Sequence, residues 1–239
     1  MRQSPAWYPY GLTQSDRPIP PRRSALRLAG ALTSVLTVSG CIARERGPEA
    51  SEHMAIRKEA VLETGDFIVY RYEGTQLPIP VILKERVTAR TGRRLTIEVE
   101  ARRAKDSLRW IQVVTDTPEN RANNVVDELY EVVDGHRVRL ANEGNRDLLR
   151  LYAWVQPPHA EPWTPSLTLQ RAVSLPHGVT VQAECLRHFA RIGDRFAAAE
   201  HCRSPDFAWW HIKLSYTDIT NGEVLFAVRV TDMGHQAPD

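Results

Sequence analysis

Arg94-Leu95-Thr96-Ile97-Glu98-Val99-Glu100-Ala101-Arg102 alternates apolar and polar residues without a break. Side chains of a strand point to opposite faces in turn, so Leu95, Ile97, Val99 and Ala101 share one face and Thr96, Glu98, Glu100 and Arg102 the other. A strand with one face in a core and one in water belongs to an antiparallel sheet. The neighbours read the same way. Phe67 to Tyr72 is aromatic and β-branched, Val81 to Ala89 and Leu108 to Thr115 follow period two, and Glu73-Gly74, Thr91-Gly92 and Lys105-Asp106-Ser107 punctuate them as turns.

Further along, Thr117-Pro118 places an N-cap before a proline at the first helical position, which predicts a short helical turn. Strands resume at Val125 to Val133 and Arg137 to Leu140 through the hairpin signal Asp134-Gly135. One short helix is expected from Arg146 to Val155, with Leu148, Leu151, Tyr152 and Val155 on one face and Asn145 as its cap. Residues 156 to 166 hold Pro157, Pro158, Pro162 and Pro165, which predicts an exposed connection without regular structure.

The last third returns to strands at Leu167 to Leu175, Val179 to Ala190, Arg195 to Arg203, Trp209 to Thr217 and Val224 to Thr231. Around Thr220-Asn221-Gly222, a three-residue loop with Gly222 left-handed sets Tyr216 against Phe226, Leu214 against Val228 and Ile212 against Val230. A two-residue loop would turn one apolar set outward, so the former register is expected. The whole reads as a mainly β domain of about ten strands, an antiparallel meander forming a curved half-barrel or a sandwich, with one short helix.

Composition fits a globular domain: 239 residues, 42% hydrophobic and 25% charged. Of 31 basic and 29 acidic residues, five Arg and one Asp lie in residues 1–40, which leaves 26 basic against 28 acidic beyond them. The run Arg86, Arg90, Arg93, Arg94, Arg102 and Arg103 is interleaved with Glu85, Glu98 and Glu100, as on a solvated strand face, and no nucleic-acid partner is expected.

The N-terminal segment has the three parts of an export signal: Arg22, Arg23 and Arg27, then the apolar run Leu28 to Val38, then Val38-Ser39-Gly40-Cys41. The run is too short to span a membrane. Its ending resembles the lipobox of prokaryotic lipoproteins, which implies a lipid on Cys41. Arg22-Arg23-Ser24-Ala25-Leu26-Arg27 resembles the twin-arginine export motif, and the export route stays open. Ile42 follows the cysteine where lipoproteins held in the inner membrane often carry Asp, so the resemblance points to the periplasmic face of the outer membrane. Three regions follow: 1–40 as a lipoprotein signal peptide with an extended n-region, 41–65 as lipidated cysteine and polar tether, and 66–239 as one β-rich domain.

Cys185 and Cys202 are the remaining cysteines, and an oxidising periplasm permits a bridge between them. With Gly193-Asp194 as a two-residue loop, facing residues have numbers summing to 387. This sets Cys185 against Cys202, Arg187 against Glu200 and Glu184 against Arg203, two opposite-charge pairs in the same register.

No HExxH, CxxC, GxSxG or glycine-rich nucleotide loop is present, and no metal or cofactor is expected. Cys185, His188, His201 and Cys202 have symmetric spacing, but residues three apart on a strand face opposite ways, against a zinc site. His211 with Asp232, or His188 with Asp194, would serve a periplasmic hydrolase. Trp209 and Trp210, with Trp110, Trp154 and Trp163, would line an apolar cleft, touch a bilayer interface or fill the core. The function expected first is a non-catalytic, membrane-anchored envelope lipoprotein that binds an apolar ligand or another envelope component. A curved sheet behind a lipid tether resembles, at fold level, the lipoprotein-carrier and lipoprotein-receptor family of the outer membrane.

Overall fold

The computed structural model describes residues 61–236 apart from Asn124 and Trp210. The leader, Cys41 and most of the stretch read as a tether lie outside the described residues.

Among the described residues, twelve antiparallel strands form one open sheet. The first six are β1 (Asp66–Gly74), β2 (Leu77–Thr91), β3 (Arg94–Arg103), β4 (Asp106–Thr115), β5 (Glu128–Val133) and β6 (His136–Leu140), a meander in which each strand pairs with the next. The others are β7 (Glu161–Pro162), β8 (Leu167–Ser174), β9 (Thr180–Ile192), β10 (Arg195–Arg203), β11 (His211–Asp218) and β12 (Val224–His235). The two halves join where β1 pairs with β12, setting Tyr72 against Val228 and Ile68 against Met233.

The alternation seen in the sequence decides the faces. Leu95, Ile97, Val99 and Ala101 of β3 are buried, as are Ile68, Tyr70 and Tyr72 of β1 and Val81, Leu83 and Val87 of β2. Ile97 of β3 and Leu214 of β11 line one cavity although four strand steps separate them in the sheet. A flat sheet would hold them roughly 19 Å apart at about 4.8 Å per step, so the sheet curves around its inner face. It is a half-barrel, not a sandwich of two sheets.

Two short helical segments line the concave side, one between β4 and β5 and one between the halves. Pro118–Asn123 (α1) follows Thr117, whose hydroxyl accepts from the Asn120 amide at 3.1 Å, as a capping threonine should. Arg146–Leu151 (α2) continues into a 3-10 turn at Ala153–Val155, so the expected helix breaks at Tyr152. Its face is as expected, with Leu148, Leu151, Tyr152 and Val155 buried. Its cap is not. Asn145 is left-handed and makes no capping bond; the Asn142 side chain accepts from the Leu148 amide at 3.0 Å, and Asp147 accepts from the Asn142 amide.

The proline-rich connection also departs from expectation. Glu161 and Pro162 pair with Arg191 and Ala190, the Trp163 amide donates to the Phe189 carbonyl at 2.8 Å, and Ala160 is buried. Proline lacks a donor, but the neighbouring groups and the Thr164 hydroxyl supply the bonds to the β9 edge. Packing also starts earlier than the 66 boundary, since Leu62 is buried in the core.

Both hairpin registers can be checked. Gly193-Asp194 joins β9 to β10 with Cys185 opposite Cys202, Arg187 opposite Glu200 and Glu184 opposite Arg203. In the β11–β12 hairpin Tyr216 faces Phe226 and Leu214 faces Val228, with Gly222 left-handed, but a bulge at Tyr216/Thr217 widens the loop to residues 219–223. The ladder ends at Lys213 and Arg229, so the expected Ile212–Val230 pair is not part of it.

Candidate functional site

The concave face of the half-barrel encloses a cavity of about 210 Å³. Its walls are inner-face side chains of both halves: Tyr70, Tyr72, Leu95 and Ile97 on one side, Leu214, Phe226 and Val228 on the other. Leu148, Tyr152 and Val155 cover it, because their face of the broken helix has no other apolar surface to meet. Apolar cavities of roughly 150 Å³ stay dry and hold benzene, so a small apolar ligand fits this volume.

Two carboxyl residues line this space: Asp116 is paired with Arg90, and Glu85 makes no ion pair among the described residues. Glu85 lies on β2 between the inward residues Leu83 and Val87, facing Ile68 of β1 and Val99 of β3. Its Oε1 accepts from the Tyr152 hydroxyl at 3.3 Å, and the Tyr152 hydroxyl oxygen in turn accepts from Gln112 Nε2 at 3.1 Å. Burial pushes the Glu85 carboxyl up to about 7, because the apolar wall disfavours its charge, and the Tyr152 hydrogen bond opposes this only in part. Burial, and then the Glu85 charge, likewise push the hydroxyls of Tyr70 and Tyr72 up.

The sequence reading placed Glu85 with Glu98 and Glu100 on a solvated face. The structure corrects this. Glu98 and Glu100 pair outside with Arg86, Arg109 and Arg102, whereas Glu85 makes no ion pair among the described residues. The signal was present in its parity: Val81, Leu83, Glu85 and Val87 are two apart, so a carboxyl stands where the inner face calls for an apolar residue.

Two histidines form a second polar point in the wall. His201 Nε2 lies 3.1 Å from His211 Nδ1, the rings stack with centroids 5.2 Å apart, and the Tyr70 hydroxyl donates to the His211 carbonyl at 3.2 Å. Burial is the main reason both titrate low, His201 near about 3 and His211 near about 4, with neighbouring positive charge adding to it. Both imidazoles are therefore neutral at ordinary pH. Among the described residues, His211 Nε2 is buried without a hydrogen-bond partner.

The other sequence candidates fall elsewhere. His177, not His211, pairs with Asp232, at 2.8 Å. His188 stands opposite Ala199, while Asp194 sits in the hairpin loop, so neither His/Asp pair proposed for a hydrolase forms. Cys185 and Cys202 are joined, with Cα atoms 4.0 Å apart. Bridged sulfurs offer no thiolate, and the alternation turns His188 and His201 to the other face, which disperses the four-residue metal set. Trp209 lies before β11 rather than in it and lines the cavity. Trp110 is fully buried, its ring edge-on to Tyr152 at 4.8 Å. Trp154 lies under the Arg103 guanidinium at 4.4 Å, and Trp163 is exposed against Phe196.

No family model matches the chain, and no curated protein does. Among solved structures, a hypothetical protein of Chlamydia trachomatis is similar at 11% identity and a TM-score of 0.38, over 74% of this chain and 90% of that one. A Bacteroides fragilis protein with a YmcC-like fold, named as a candidate exported protein, is similar at 9% identity and a TM-score of 0.35, over 74% of this chain and 98% of that one. Likeness at this level carries no function from either protein to this chain.

Proposed function

We propose that this chain is a non-catalytic envelope lipoprotein, anchored through Cys41 at the periplasmic face of the outer membrane, whose half-barrel holds a small apolar ligand. The cavity carries the reading: about 210 Å³, walled mainly by aliphatic and aromatic side chains from both halves of the sheet, with polar groups such as Glu85, His201 and His211 set among them. The export segment ending at Val38-Ser39-Gly40-Cys41 supports the anchor. A ligand of one short chain suits the volume, since drug-sized sites run from roughly 300 Å³ upward.

The test is binding of a fluorescent apolar probe, N-phenylnaphthylamine, to the purified full chain. Val126 lines the cavity from the connection before β5, so Val126→Trp should fill it from the rim. Saturable probe binding that Val126→Trp abolishes while the melting temperature stays close to wild type supports the reading. Binding that is absent from the wild type, or unchanged in a folded Val126→Trp protein, overturns it.

A further inference from the structure

The cavity has a chemical polarity that an apolar ligand alone would not need. A strand position surrounded by Leu83, Val87, Ile68 and Val99 gains stability from an aliphatic side chain and loses it with a carboxyl. Glu85 is held there without an ion pair among the described residues, in contact with Tyr152 at one oxygen and opening onto the cavity. In the wall of the other half, His211 keeps Nε2 buried, without a hydrogen-bond partner among the described residues.

We infer that the cavity takes a single-chain amphiphile whose head carries a hydrogen-bond donor, an alkyl amine or alcohol, with Glu85 receiving that head and discriminating against a carboxylate of the same chain length. The inference rests on the ligand-binding reading above and names its ligand class. An ionised Glu85 pairs with an ammonium, accepts from a hydroxyl, and repels a carboxylate through a medium that screens little.

The groups around Glu85 leave it as the one that changes charge near neutrality. Tyr70 and Tyr72 on β1 and Tyr152 beyond α2 face it as hydroxyls, and Gln112 on β4 is neutral. His201 and His211 on the β10–β11 side stay neutral above about pH 5. Asp116, the other carboxyl of the lining, is held by Arg90 at 3.0 Å, and Lys213 is bound to Glu200. Lys84 and Arg86 alternate to the opposite face, over the Phe67 ring and against Glu98.

Octylamine, octanol and octanoate, titrated into the purified full chain at pH 6 and pH 8.5, form the test. Like the side chains of lysine and glutamate, the amine and the acid titrate near about 10.4 and about 4.3, so both keep their charge over this range. Octylamine should bind about tenfold or more tightly than octanoate at pH 8.5, with a smaller gap at pH 6. Glu85→Gln should remove both the preference and its pH dependence, with a melting temperature that shows the variant stays folded. Octanol binding with no preference for the amine, or a preference that survives Glu85→Gln, overturns the head-group inference and leaves the cavity reading standing. Failure of all three probes to bind overturns both.

Discussion

Glu85 and Tyr152, 67 residues apart in the chain, meet at 3.3 Å in the lining of the concave face. The contact joins the meander to the segment that covers it. Among the described residues it is also the one hydrogen bond that offsets the burial of the Glu85 carboxyl, whereas Asp116 is held by Arg90.

The folded protein holds the Glu85 proton more tightly than the unfolded chain does, at about 7 against the ordinary value of 4.5. Between those pH values the folded state binds more protons, so this group's contribution to stability is full below about 4.5 and is lost as pH rises through 7. At about 1.36 kcal/mol for each tenfold change in proton affinity, the loss is on the order of 3 kcal/mol. Glu85→Gln should therefore stabilise the protein at pH 8 by a few kcal/mol relative to wild type and have little effect at pH 4.5. Urea unfolding at the two pH values reads this difference, and equal midpoints for the two proteins at pH 8 would contradict it.

The histidine pair works in the opposite direction. His201 and His211 are held below the ordinary value of 6.5, so the unfolded chain binds more protons than the folded one between that value and about 3 to 4. Their contribution is present above pH 6.5 and is lost as the solution is acidified. His211→Phe keeps a ring beside His201 and removes one of the two titrations. Its stability relative to wild type should rise steadily from pH 7 to pH 4, and a constant difference across that range would show that the pair does not titrate on unfolding.

How much of this was legible follows from particular residues. The period of two in Arg94–Arg102 and the sum of 387 around Gly193-Asp194 are local relations, and both hold in the structure. Glu85 was legible by parity but was read with its charged neighbours in sequence rather than with Leu83 and Val87. The pairing of β1 with β12 was not legible, since Tyr72 and Val228 meet across almost the whole domain and no turn fixes their register. Nor was the cover over the cavity. Asn142 and Asn145 are both competent caps by composition, and only the folded loop decides which side chain reaches the helix amides. The β7 pairing escaped because it depends on carbonyls and a threonine hydroxyl around the prolines, not on the prolines themselves.

The bridge between Cys185 and Cys202 closes a separation of 17 residues. In the chain-entropy account such a loop is worth about 3 kcal/mol. Cys185→Ser should lower the melting temperature by several degrees and leave one reactive thiol after denaturation. Denatured, unreduced protein with both positions open to alkylation would contradict the bridge.

Cys41 can be tested by mass. Protein extracted from membranes should begin at Cys41 and carry acyl chains, and Cys41→Ser should move it to the soluble fraction. Among the described residues no helix is long and apolar enough to cross a membrane. Recovery of the chain with residues 1–40 attached and Cys41 unmodified would contradict the anchor.

The central claim, that the half-barrel carries an apolar ligand on its concave face, is tested most directly by what the protein brings with it from its own membranes. Organic extraction and mass spectrometry of gently solubilised wild type should yield one class of small amphiphile at close to one molecule per chain. The Val126→Trp protein, prepared alongside, should yield a small fraction of that amount. No stoichiometric molecule from the wild type, or equal recovery from a folded Val126→Trp protein, would contradict the account.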